Sequence, residues 1–247
     1  MAQTSALTSF VEHLLGGVLL KLYSALGVHP ADAAKDLASV SDAFKYELLV
    51  AAGLIAFFLI VRLTLSVEKP NPAQQIAEMI HEFTGNQAES VIGHGYERFQ
   101  AYATCILLFI ILNNLLGLIP GITTPTSNPA VPLGLAALTF LYYNFYGVRT
   151  HGLIGYLKQF AGPMWQISWL LFPVEVISHL ARVMSLTIRL YANMLASDLL
   201  TLICFSMIPL VAPVAFLGLH AFVAAIQAYV FMLLTMIYLG MAVSHEH

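Results

Sequence analysis

The chain has 247 residues, 59% of them hydrophobic and only 9% charged, against roughly 25% charged residues in an average soluble domain. A chain so poor in charge must be solvated by lipid, and its net charge of -3, with no run of four or more Lys or Arg, argues against nucleic acid as a partner and against a polybasic headgroup segment. Cys105 and Cys204 stand in apolar runs without a second Cys or a His beside them, which predicts burial as small hydrophobes rather than a disulfide, metal or redox pair.

Residues 1–44 lack the early basic segment of a signal peptide, the first cation being Lys21, and are expected to be mature sequence. Leu14 to Leu26 is apolar but about half the length of a span, which predicts an interfacial helix. The mixed-charge stretch Asp32 to Glu47 is expected in water. A first span follows over 45–65, uncharged from Leu48 to Val61 and closed by Arg62, since about twenty apolar residues cross roughly 30 Å of hydrocarbon. Pro70 and Pro72 stop it and open an amphipathic surface helix over 73–84, with Ile76, Met79, Ile80 and Phe83 on one face and Gln75, Glu78 and Glu82 on the other.

Phe99 to Val148 contains neither a charge nor a histidine, and Pro120, Pro125, Pro129 and Pro132 interrupt it. Two spans, 99–119 and 132–147, joined by a proline-rich turn fit that pattern, with the polar stretch Arg149 to Gln159 after them. Between Pro173 and Pro209 there is neither Pro nor Gly, so helices over 165–207 and 213–243 exceed what an upright span needs, and excess length is accommodated by tilting. The expected fold is an all-α integral membrane protein of about five membrane-embedded helices plus the amphipathic helix, the last two forming a long, strongly tilted hairpin. Residues 1–44 form an extramembrane or interfacial segment and 45–247 a single membrane domain.

Arg62, Lys69, Arg98, Arg149 and Lys158 follow the first span or flank the third and fourth segments on one side, while the turns around Pro125 and Pro209 have no cation. The excess of Lys and Arg marks the cytoplasmic side, which predicts an N-terminus outside and a cytoplasmic C-terminus.

Ionisable side chains at membrane depth cost at least about 2.5 kcal/mol each and so mark function. Glu175, Arg182 and Arg189 recur every seven residues and form one stripe of the fifth membrane helix, which Asn193 extends. Asp198, nine residues past Arg189, turns to the opposite face about 13.5 Å further on. Two polar regions are expected. Glu175 and Ser178 open one toward the cytoplasm, and Asp198 holds the other near the outside, where the antiparallel last helix brings His220 and, two turns deeper, Gln227. Arg182 suits an ion pair with Glu175 or snorkelling as well as transport. His179 suits packing, His151, His245 and His247 suit solvated ends, and Asn113 and Asn114 suit interhelical hydrogen bonds. Arg189 has no partner evident on its own helix, so its counter-ion comes from elsewhere.

The run Ser185-Leu186-Thr187-Ile188-Arg189-Leu190-Tyr191-Ala192-Asn193-Met194 resembles the signature of the subunit a family of F-type ATP synthases, S-L-x-x-R-L-x-x-N-M. Asn114-Leu115-Leu116-Gly117-Leu118-Ile119-Pro120, Thr124-Pro125-Thr126, the pair His220 and Gln227, and the ending Tyr238-Leu239-Gly240-Met241-Ala242 fit the same family from about residue 45 onward. The resemblance implies a non-catalytic, proton-translocating stator subunit in a bacterial inner membrane. It would work with a c-ring facing Arg189, the peripheral-stalk subunit b and the other synthase subunits, and with no cofactor or metal. It implies further that Glu175 and Ser178 belong to a cytoplasmic half-channel and Asn193, Asp198, His220 and Gln227 to an outer one. Some members carry Glu where Asp198 stands. The chain has no G-x-x-x-x-G-K-[ST] phosphate loop, so ATP chemistry is expected elsewhere. The alternative is a self-contained secondary transporter or proton antiporter; such proteins often show internal repeats or midplane helix breaks, and neither is found here.

Overall fold

The computed structural model describes residues 42–66, 70–119, 122, 124–161, 168–207 and 212–243. The helix expected at Leu14 to Leu26, residues 165–167 of the fifth membrane helix and the C-terminal tail lie outside them. Among the described residues there are six α-helices and one 3-10 turn, and no strand. The helices are α1 (Asp42–Leu63), α2 (Pro72–Ile92), α3 (Glu97–Leu116), α4 (Ala130–Ala161), α5 (Ser168–Met207) and α6 (Ala212–Val243), with the 3-10 turn Pro125–Ser127 between α3 and α4. All but α2 are long and apolar enough to cross a membrane.

Helix α1 starts three residues before the expected span, and this corrects the placement of its charges in water. Lys45 is buried and Glu47 half-buried in the first turns, and α1 packs against α3 and the Pro125–Ser127 turn. Helix α2 starts where Pro72 supplies an already suitable φ and needs no N–H partner. It runs on to Ile92, two turns past the expected end, until Gly93 adopts a φ of 76°. Its inward face is polar or small rather than apolar. Thr84 and Thr104 of α3 share a hydrogen bond of 2.8 Å, and Gln100 Nε2 donates to the His81 carbonyl at 2.6 Å. Ile76, Met79 and Phe83 stay exposed, as suits a helix whose apolar face meets lipid.

The expected polar stretch after the fourth segment is helical. Helix α4 continues through Arg149 and breaks at Gly152, whose φ of 72° and ψ of 162° are open essentially to glycine alone. The chain then folds back, and the Tyr156 hydroxyl donates to Asn144 Oδ1 at 2.8 Å. The Tyr156 ring covers Gly147 so closely that a β-carbon there would meet it at 2.5 Å. Helix α5 has 40 residues, about 60 Å at 1.5 Å each; Pro173 sits near its start, and no other Pro or Gly follows it in the helix.

The core is built where α3, α5 and α6 meet. Ile106 and Ile110 of α3, Leu190 and Met194 of α5, and Phe231, Met232 and Met236 of α6 are buried together, with Ala88, Ala103, Ala136, Ala224 and Ala228 at the crossings. Small residues let helix backbones approach closely in a bilayer, where lipid supplies no hydrophobic drive between helices. The two cysteines depart from expectation: Cys105 is exposed on α3 and Cys204 is half-buried. In a membrane helix apolar neighbours surround a residue on the lipid side as well as on the packed side, so they do not locate burial.

Candidate functional site: two polar clusters flanking Arg189

Helix α5 holds the site together because its unbroken length carries ionisable residues over many turns while Leu186, Leu190 and Met194 anchor one face in the core. Toward its N-terminal end Glu175, His179 and Arg182 meet residues of α4 and α6. Glu175 Oε1 lies 3.4 Å from His179 Nε2 and 3.7 Å from an Arg182 nitrogen. The Tyr143 hydroxyl is 2.8 Å from His179 Nδ1, and the Arg182 guanidinium stands over the Tyr238 ring, 5.3 Å from its centre. Arg182 therefore pairs with Glu175, and His179 is a packed residue with both nitrogens engaged. Ser178 is half-buried and makes no hydrogen bond among the described residues. This cluster is partly open, since the Glu175 side chain is 40% exposed.

The second cluster lies past Arg189, where α5, α6, the end of α3 and the Pro125–Ser127 turn converge. The Thr124 hydroxyl donates to Asp198 Oδ1 at 2.7 Å, and His220 Nδ1 is 3.7 Å from the same oxygen. Ser197 Oγ is 2.8 Å from His220 Nδ1, and His220 Nε2 is 3.1 Å from the Asn114 backbone carbonyl. A carbonyl only accepts, so Nε2 carries the proton of the neutral ring and Nδ1 is the atom that can take up another. Thr126 Oγ1 donates to Asn114 Oδ1 at 2.6 Å, which locks the turn onto α3. Asp198 Oδ2 and Asn114 Nδ2 are buried without a partner among the described residues. Such buried orphans cost stability.

Asn193 and Gln227 meet between the second cluster and Arg189, Asn193 Nδ2 donating to Gln227 Oε1 at 2.9 Å. Arg189 itself is half-buried. It reaches Ser185 Oγ on its own helix at 3.4 Å, a partner the sequence pattern did not suggest. No carboxylate lies within 4 Å of it among the described residues. Its face also carries Ala181, Ser185, Ala192 and Ala196, all exposed, within about 80° of one another at 100° per residue. A guanidinium without a carboxylate partner among the described residues thus sits beside an exposed strip of small residues.

Of the sequence-predicted residues, Asp198 is brought to His220, Asn193 to Gln227, and Glu175 to His179 and Arg182. Thr124, Ser197, Tyr143 and Tyr238 were not singled out as members of either cluster. Thr124 had one available signal, its place in a proline turn rich in hydroxyls. Gly117 leaves it room: a β-carbon there would come within 1.9 Å of Thr124 Oγ1 and 3.2 Å of His220 Cε1.

Residues 46–240 match the family model described as the ATP synthase A chain. The chain is 47% identical over 243 residues to an ATP synthase subunit a of Koribacter versatilis, covering 97% of each. It is 45% identical to one from Solibacter usitatus, over 81% of this chain and 86% of that one, and 39% identical to one from Bdellovibrio bacteriovorus, over 70% and 75%.

Proposed function

This chain belongs to the ATP synthase subunit a family, and from that premise we propose that it is the proton-translocating stator of the synthase, with two offset half-channels separated by Arg189. The observation that carries the proposal is an always-charged side chain, without a carboxylate partner among the described residues, between two polar clusters of one membrane helix. Charge at membrane depth is costly, and an unmatched one marks a functional site by default.

The missing counter-ion is a carboxylate of the c-ring. The strip Ala181, Ser185, Ala192 and Ala196 supports close approach of such a partner helix. A ring carboxylate cannot stay ionised facing lipid, because desolvation disfavours its charge, so it must be protonated before it rotates away. Arg189 favours its deprotonated form while it passes, and its positive charge interrupts a direct proton wire between the clusters. Asp198, His220, Asn193 and Gln227 form the outer half-channel and Glu175 and Ser178 the cytoplasmic one. His220 Nδ1, facing Asp198 Oδ1 at 3.7 Å, takes up an entering proton. Each elementary charge that crosses contributes about 2.3 kcal/mol per 100 mV, and the offset of the half-channels turns it into torque. ATP hydrolysis and synthesis belong to other subunits, subunit b holds the stator, and the complex sits in a bacterial inner membrane with the N-terminus of this chain outside.

In vesicles holding the assembled complex, Arg189→Ala is expected to reduce proton-driven ATP synthesis to background. Coupled synthesis at the unaltered rate would sink the assignment. A secondary transporter would work without the ring; that α5 stays helical through Arg189 weighs against the broken-helix sites of such proteins.

A further inference from the structure

A cavity of about 960 Å³ opens where the start of α3, α4 and the end of α6 meet. Arg98, Arg149, His94 and Thr150 line its polar side, and Phe99 and Tyr146 form an aromatic pair on its floor with ring centres 4.9 Å apart. Both arginines are exposed, and neither has a carboxylate within 4 Å among the described residues, whose ion pairs all lie elsewhere. Two like charges share one concavity without a counter-ion, an arrangement that an anion relieves.

The depth of the cavity narrows the kind of anion. Arg98 is the second residue of the apolar span Glu97–Leu116, Arg149 lies in the last turn of the span Ala130–Gly152, and Val243, which also lines the cavity, ends the span Val214–Val243. Three spans thus end at its rim, the level at which hydrocarbon gives way to headgroups. Tyr146 has the apolar body and polar tip that suit that boundary. Guanidinium groups match phosphate in geometry as well as charge.

We propose that this cavity is a binding site for the phosphate headgroup of an anionic phospholipid, held between Arg98 and Arg149 with its acyl chains running down the outside of the helices. The shared chemistry is a phosphate anion, and the placement at three span ends selects the lipid over a soluble phosphate or an acidic segment of a partner protein. The site is independent of the half-channel reading, because it uses none of its residues.

The assembled complex, stripped of lipid in neutral detergent and titrated with phosphatidylglycerol or phosphatidylcholine, would be followed by native mass spectrometry. Saturable binding of phosphatidylglycerol is expected, weakened about 30-fold in Arg98→Gln/Arg149→Gln, which is about 1 kcal/mol per surface cation, and largely kept in Arg98→Lys/Arg149→Lys. Equal binding of both lipids, equal retention in the Gln variant, or displacement by millimolar inorganic phosphate would overturn the proposal. On the unaltered complex, a phosphatidylglycerol with a photoreactive headgroup should crosslink within residues 94–99 or 146–150. Crosslinks confined to other segments, or to a second protein from those same residues, would overturn it equally, whether or not the variants assemble.

Discussion

Asp198 has one oxygen bonded to the Thr124 hydroxyl and the other buried without a partner among the described residues, so its carboxylate is held by a neighbour 74 positions away in the chain. Thr124→Val keeps the shape and removes the donor, and a hydrogen bond to a charged group is worth about 1.5–3 kcal/mol. Proton-driven synthesis is expected to slow several-fold in Thr124→Val, which leaves Asp198 Oδ1 without its hydroxyl donor, and to be kept in Thr124→Ser. An unchanged rate in Thr124→Val would remove Thr124 from the outer half-channel. Gly117→Ala should act in the same direction as Thr124→Val, because its methyl takes the space of the hydroxyl. Asp198→Asn and His220→Ala are expected to slow synthesis several-fold without abolishing it, and wild-type rates in vesicles would exclude the residue concerned from the relay.

Helix α4 shows how an element can be misjudged from polarity alone. The stretch after Val148 is polar, yet it stays helical to Gly152 and then folds back through Tyr156 and Asn144. Gly152→Ala should cost about 1–3 kcal/mol, the range for a residue held in a sparsely populated backbone region, and should speed protease cleavage of the segment that holds Tyr156. Cleavage no faster than in the unaltered complex would show that the reversal tolerates a β-carbon. Helix α2 presents a different case. Its amphipathic pattern was legible, but its inward face is Thr84, Gly85 and Ala88, residues that hydropathy does not single out. Close packing, with a β-carbon at Gly85 reaching 2.8 Å from Gln100 Nε2, selects them.

For the whole molecule, the proposed function makes the exposed strip beside Arg189 the surface that meets the ring. Ala192→Leu adds bulk where the chain itself is open, so the chain should fold normally while a ring of small membrane subunits co-purifies less well and synthesis falls. Undiminished co-purification and synthesis would place the ring contact elsewhere.

Composition and spacing by themselves determined that the chain is helical and lipid-solvated, because few charges and long apolar runs admit only helices whose backbone polar groups pair internally. They also set Glu175, Arg182 and Arg189 on one stripe, since helical periodicity follows from position alone. Only the tertiary structure decided that Thr124 reaches Asp198, that the Asn114 carbonyl selects the His220 tautomer, and that Cys105 faces outward. Those facts depend on which helices cross and at what depth. In a bilayer both the packed and the lipid-facing sides of a helix are apolar, so the choice between them is made by small residues and hydrogen bonds at the crossings rather than by hydropathy.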